Sequence, residues 1–362
     1  MDLAAGDGGV VSSTARTLTR EGLSRGSSAV PAGSILLSTR AAIGYVAETT
    51  AETAFNQGCR GLVPRAELDL RFFRYQLLAR RDDLVALGQG STFTELSSDA
   101  LAAFEVSCPS PSEQRRVADF LDAETTRIDA LIDKKRSMIK RLVERQSAIA
   151  DREIEDAAVS YIRLSLLLAL RISDGPHETP EFLDEGVPFL SVDNVVGGRL
   201  VFDGARRISS DAHRRYAMKC RPQRGDVIVT KAAAIGRVAL VEEDVEFNIW
   251  SPLAVLRPDQ SQMRSDFLYH AMRTTAVQDQ IQLLASSNTQ QNVAMSDLAS
   301  LRIPVMSLIE QERIAAALTT SQQQVTQLSG RLESSIHLLE EHRQALITAA
   351  VTGQLDIAKA AV

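Results

Sequence analysis

The chain is expected to fold as α+β: two like globules of short strands and helices, each continued by a long helix. Three observations carry that expectation. Ile128, Leu131, Lys135, Met138, Leu142, Arg145 and Ile149 are spaced alternately three and four apart, the seam of a coiled coil. A second seam in the same phase lies 197 residues on, at Val325, Leu328, Leu332, Ser335, Leu339, His342 and Leu346. The helix starts repeat as well. Ser110-Pro111-Ser112-Glu113 reads as a capping box with proline at the first helical position, and Ser307-Leu308-Ile309-Glu310 keeps the Ser-x-x-Glu. Behind them stand Glu113-Gln114-Arg115-Arg116 and Glu310-Gln311-Glu312-Arg313. One unit has been duplicated.

In chain order, residues 1–30 are rich in Gly and Ser; no strand or Lys-Ser/Thr accompanies Gly6-Asp7-Gly8-Gly9, so a phosphate loop is not indicated. Strands are expected at Gly33–Arg40 and Ile43–Val46. Their counterparts lie 192 residues on, at Gly225–Lys231 and Ile235–Val238, and Phe55-Asn56 matches Phe247-Asn248 at that offset. Leu68–Leu87 and Phe267–Leu284 carry helical spacing. Each copy then has a polar loop (Gly90-Ser91-Thr92; Ser287 to Asn292), a Ser-Asp helix start and a strand, Phe104-Glu105-Val106 or Leu301-Arg302-Ile303. The divisions are 1–109 for the first globule, 110–156 for the first long helix, 157–306 for the second globule, 307–352 for the second long helix, and 353–362 for a tail. Tyr161 through Val192 have no partner in the first copy, because projected back they would precede Met1. The first globule is therefore read as lacking its N-terminal segment, through a misplaced start, a degraded gene or a genuine variant, which would leave a sheet edge unpaired.

At 362 residues and 44% hydrophobic content the chain can bury two cores. No apolar run reaches the length of a membrane span, and no signal pattern opens the chain. Cys59, Cys108 and Cys220 form no disulfide or zinc pattern, which suits a reducing cytoplasm. The net charge of −6 opposes general nucleic-acid coating but not a local basic face.

No reaction centre is indicated. The five histidines are scattered, and Gly-x-Ser-x-Gly, His-Glu-x-x-His, phosphate-loop and adenine-methyltransferase signatures are absent. Positive charge is concentrated in the stretch from His213 to Arg224, with Arg214, Arg215, Lys219, Arg221 and Arg224 and no carboxylate, as phosphate contacts require. Asn288, Gln290, Gln291 and Asn292 offer the bidentate chemistry that reads adenine, although a polar loop needs no such role.

Four ordered motifs resemble the DNA-specificity subunit of type I restriction–modification systems, over nearly the whole chain. They are Ile172-Ser173-Asp174-Gly175-Pro176-His177-Glu178-Thr179-Pro180 with Glu185 to Ser191; Gly225 to Lys231 through Gly236-Arg237; Glu310 to Ile314; and Ala349-Ala350-Val351-Thr352-Gly353-Gln354-Leu355. The resemblance implies two target-recognition domains separated by two antiparallel helices, each domain reading half of a bipartite, gapped DNA site. It implies helices that dock two methylation subunits, which bind S-adenosylmethionine and flip out an adenine. A restriction subunit is a further expected partner, and S-adenosylmethionine, Mg and ATP would belong to partners, leaving this chain without cofactor, metal or catalytic residue. His177, Thr179, Lys231 and Arg237 are the expected DNA contacts of the second domain, with Arg214, Arg215, Lys219, Asn288 and Gln290. In the first domain Arg40, Asn56 and Gln57 match by position. Two readings compete: a coiled-coil scaffold that binds proteins, and a truncated, non-functional specificity subunit.

Overall fold

The structure is a computed structural model that describes residues 2–40, 42–65, 68–90, 94–285 and 292–357. It divides into two compact units, and the division runs through both long helices. Unit 1 comprises Met1–Ser137 with Arg331–Val362; unit 2 is Met138–Gly330.

Unit 2 is built on an antiparallel sheet in the order Val238–Leu240, Val227–Thr230, Leu253–Leu256, Ser173–Asp174. Val227, Ile228 and Val229 are wholly buried because this central strand is covered on both faces. A smaller sheet, in the order Arg206–Ile208, Val187–Leu190, Asn248–Ile249, presents Phe189 to Trp250 and Tyr216. Ser160–Arg163 pairs with Arg302–Val305 just before the second long helix, Leu308–Val351. The helical spacing after the sheet resolves into two helices, Ser265–Ala271 and Thr275–Leu284.

Unit 1 repeats this plan in reduced form. Its sheet runs Val10–Val11, Val46–Thr49, Ser34–Ser38, Cys59–Leu62, so its three longer strands match the first three strands of unit 2. The duplication extends to atoms. Ser38 Oγ accepts from the Tyr45 amide and Gly44 N–H donates to the Ser38 carbonyl. The Thr230 hydroxyl and carbonyl do the same with Arg237 and Gly236, every position shifted by 192. Gly44 and Gly236 both take positive φ, 97° and 87°. That turn corrects the expected strand starts: the strands begin at Val46 and Val238 rather than at Ile43 and Ile235.

The glutamine of each helix-start motif is buried and ties helix to globule. Gln114 accepts from the Asp69 amide at 3.0 Å and donates to the Pro109 carbonyl at 2.8 Å. Gln311 accepts from the Arg264 amide at 2.9 Å and donates to the Met306 carbonyl at 3.0 Å. The first long helix spans Pro111–Ala157. Within unit 1 the helices run antiparallel, since Arg343 pairs with Asp129 and Glu340 with Arg136.

Their inward stripe differs from the expected seam by one residue in every heptad. Ile128 and Ile132 are buried while Leu131 is 42% exposed. In unit 2, Ile139, Leu142, Gln146 and Ala150 are partly covered, whereas Met138 and Ile149 lie outside. On the second helix Val325, Leu332, Leu339 and Leu346 are half-buried as the seam required, but Ser329, Ile336 and Arg343 replace Leu328, Ser335 and His342 between them. Leu131-Ile132 and Met138-Ile139 are adjacent apolar pairs, and a spacing of three and four fits either member. Ile132→Ala should therefore cost about 2 kcal/mol in urea unfolding and Leu131→Ala well under 1. Equal costs would restore the original seam.

One expected strand is missing. Leu301-Arg302-Ile303 becomes Arg302–Val305, but its counterpart at Phe104-Glu105-Val106 forms no strand, because nothing among the described residues of unit 1 stands where Ser160–Arg163 stands in unit 2. A ladder needs two chains.

Candidate nucleic-acid interface

The basic stretch of unit 2 starts on the helix Ser210–Ala217, which Ser209 caps by accepting from the Ala212 amide. His213 and Tyr216 face inward. His213 Nδ1 lies 2.6 Å from Asn248 Oδ1, so this histidine holds the helix to the smaller sheet. Arg214 and Arg215 face outward.

All but one of the exposed cations meet a carboxylate from elsewhere in the chain or one turn away. Arg214 pairs with Asp211, Arg215 with Glu178 at 2.8 Å, and Arg221 with Glu246 at 2.7 Å. The local count of five cations therefore overstates the free charge. Exposed pairs of this kind contribute only about 0–1 kcal/mol, so a phosphate can displace the carboxylate cheaply. Arg224 is exposed and meets no carboxylate among the described residues. Burial and a hydrogen bond to Glu178 both raise the Tyr216 phenol above its ordinary value, so it stays protonated and donates to that carboxylate.

Asp174 organises the centre. It is 1% exposed, accepts from Lys219 Nζ at 2.6 Å, and has Lys231 Nζ at 3.3 Å and His177 Nε2 at 3.4 Å. Lys219 also donates to the Gly175 carbonyl. In the sequence Asp174 is one residue of a motif; its position between Lys219 and Lys231 is a tertiary fact.

Lys231 requires a correction. It was expected at the DNA surface, but it is 7% exposed and committed to Asp174. Its place at the end of the all-buried strand Val227–Thr230 was the available signal. His177 and Thr179 are exposed on the loop that follows Ser173–Asp174, and Arg237 is exposed on the Gly236 turn with its guanidinium 3.4 Å from the Val195 carbonyl. Gly175 makes that loop possible: a Cβ there would run into the Ile249 carbonyl. Asn288, Gln290 and Gln291 lie outside the described residues; Asn292 bridges to Ala232 beside Lys231.

In unit 1, Arg40, Asn56 and Gln57 do come together, lining a cleft of about 440 Å³ with Tyr45. The Asn56 side chain accepts from the Gly58 amide, and Arg40 bridges to Glu95 through the backbone. Asn56 and Gln57 also border a larger cleft of about 760 Å³ with Arg16 and Arg20, which sequence reasoning did not single out.

Among the described residues no cluster of His, Cys, Asp and Glu could hold a metal ion, and no helix is long and apolar enough to cross a membrane.

The family model described as type I restriction modification DNA specificity domain matches residues 14–141 and 181–337. The chain is 20% identical over 325 residues to the type I restriction enzyme EcoBI specificity subunit of Escherichia coli, covering 82% of this chain and 68% of that protein. It is 23% identical over 266 residues to the MjaIX specificity subunit of Methanocaldococcus jannaschii, covering 67% of this chain and 60% of that protein. A chain solved in work on complex assembly and conformational transition of the type I R-M system superposes with a TM-score of 0.71 at 18% identity, covering 91% of this chain and 85% of the other. That likeness concerns the fold.

Proposed function

The chain belongs to the type I restriction modification DNA specificity family, and on that premise we propose that each unit reads one half of a two-part DNA site. Family membership makes it a recognition subunit rather than a catalyst. Adenine methylation, S-adenosylmethionine, Mg and ATP then belong to its partners. Two methylation subunits dock on the paired helices, one to each half of a pseudo-twofold frame, and a restriction subunit can join them.

The observation that carries this reading is the duplication at atomic level: the Ser38 and Thr230 turns, and the Gln114 and Gln311 anchors. Two copies of one scaffold, each displaying cations and amides beside the same turn, suit two contacts with one duplex. The phosphate contacts of unit 2 are Arg214, Arg215, Lys219 and Arg237, with His177 and Thr179 on the entry loop. Lys231 acts behind them by fixing Asp174 and hence Lys219. In unit 1, Arg40, Asn56 and Gln57 take the corresponding place.

The test is a gel shift of the chain with its methylation subunits at several salt concentrations. Arg215→Ala and Arg237→Ala should each weaken binding on all sequences and reduce the salt slope by about 1. Lys231→Met should lower stability but leave that slope unchanged. Affinity indifferent to salt, or absent on every duplex, would favour the protein-binding scaffold instead.

A further inference from the structure

In unit 2, Arg237 and Arg273 share a cleft of about 450 Å³ that no carboxylate lines. Arg214, Arg215 and Arg221 each have a carboxylate, whereas neither of these two guanidinium groups forms an ion pair among the described residues. Glu242 and Asp266 line a separate cleft of about 40 Å³ that shares only Gly198 with this one.

Three pieces of backbone hold the cleft in shape. Arg273 follows the helix Ser265–Ala271 and lies over the Tyr269 ring at 4.9 Å. Its Nη1 donates to the Tyr269 hydroxyl and to Gln322 Oε1, the latter at 2.7 Å, which leaves Nε and Nη2 without a partner among the described residues. Arg237 sits on the Gly236 turn. The Gln278 side-chain amide donates to the Gly236 carbonyl at 2.9 Å and to the Met272 carbonyl at 2.7 Å, so one group sets the spacing of the two arginines.

The third wall is the hairpin of Val195–Val196 and Arg199–Leu200. Gly197 and Gly198 join its strands with φ of 60° and 86°, positive at both central residues as a type I′ turn requires. Their N–H groups meet no partner among the described residues. A Cβ at Gly198 would strike the Tyr269 hydroxyl and crowd Arg273, so the turn lies directly against the arginine network. Two guanidinium forks and a pair of unengaged glycine amides, with no carboxylate among them, are the donor set that a phosphate takes.

Unit 1 uses the same place differently. Arg81 bonds the Gly44 carbonyl at 2.9 Å, as Gln278 bonds that of Gly236, but it pairs with Asp7 and lies over Tyr45, which stands where Arg237 does. Leu78 meets Gly8 as Arg273 meets Gly198. There the cation is answered inside the chain.

Resting on the recognition reading, we infer that this cleft of unit 2 grips the phosphate backbone of the DNA. Arg237 and Arg273 approach from two sides and the Gly197 and Gly198 amides from the third. In unit 1 the Arg81–Asp7 pair stands in place of that grip, so the two halves of the site are held unequally.

The experiment uses the chain with its methylation subunits and a fluorescent duplex, followed by anisotropy at several salt concentrations. Asn-Gly and Asp-Gly both suit this turn, and nothing lies within 4 Å of a Cβ at Gly197, so Gly197→Asn and Gly197→Asp keep the fold and differ in charge. Gly197→Asn should bind as the parent does. Gly197→Asp should bind at least about tenfold more weakly at low salt, with the gap closing as salt rises. Arg273→Met should reduce the salt slope by about 1 and Arg273→Lys should restore it, whereas loosened packing around Tyr269 would weaken both variants without moving the slope. Equal affinities of the two Gly197 variants, or an unchanged slope in Arg273→Met, overturn the inference and leave recognition through the other contacts standing. A urea midpoint that inorganic phosphate raises in Gly197→Asn but not in Gly197→Asp, with their DNA affinities equal, assigns the cleft to free phosphate instead. Absence of binding on every duplex ends the recognition reading itself, and this inference with it.

Discussion

Arg257→Ala is expected to destabilise unit 2 by about 3 kcal/mol or more, by stranding a buried charge. Asp226 is 1% exposed and receives two bonds from Arg257, Nε to one carboxylate oxygen and a terminal nitrogen to the other, both at 2.7 Å. That fork holds the Arg257 guanidinium above its ordinary value. Once it is removed, the carboxylate keeps, among the described residues, only the Gln223 amide at 2.8 Å. The same guanidinium also donates to the Arg221 carbonyl, so the loop carrying Arg221 and Arg224 should loosen as well. The side chain of Arg257 is 27% exposed, which places the cost at the lower end for a broken buried pair. A second variant separates charge from packing: Asp226→Asn with Arg257→Leu should recover much of the loss. Urea unfolding of the three proteins decides it. A single-variant loss below 1 kcal/mol would mean that water already reaches Asp226.

A second large effect is expected from pH. His270 is buried, its Nε2 lies 3.0 Å from the Thr319 hydroxyl, and burial together with Arg273 pushes its pKa down to about 4. The folded state thus binds this proton less readily than the unfolded chain, whose imidazole titrates at its ordinary value. The stability is intact above about pH 6.5, falls as pH drops through the window from there to about 4, and then levels off, by about 3 kcal/mol in all. Carboxylates titrate near the bottom of that window, so the comparison is with His270→Gln, which keeps a polar contact to Thr319 and cannot take up the proton. Between pH 7 and pH 4.5 the urea midpoint should fall clearly further in the parent protein than in the variant. Parallel curves would show that His270 is charged or solvated in the folded chain.

The duplication, the helix caps and the extent of both long helices could be read from residue types, because each rests on contacts between near neighbours in sequence. The motif glutamines were visible too, though not their work of bonding the Asp69 and Arg264 amides. What escaped depends on contacts across the fold. No pattern of three and four can choose between Leu131 and Ile132, since both are apolar and adjacent. The carboxylates that face Arg215, Lys219 and Arg221 arrive from Glu178, Asp174 and Glu246, so a count of charges along the chain could not see them. Lys231 looked like a surface cation and is an internal one. Phe104 to Val106 has the sequence of a strand and the backbone alternation of one, yet forms none without a neighbour to pair with.

Unit 2 is a single unbroken stretch, Met138–Gly330, that leaves at both ends through a long helix. A genetic exchange with one crossover in each helix-coding region would therefore graft a whole module into a related gene while sparing the other module. The crossovers need only respect rotation about the helix axis. Insertions or deletions of whole heptads keep Ile132 and Ile336 inward, whereas a slip of one or two residues turns the stripe outward and wrecks the hybrid.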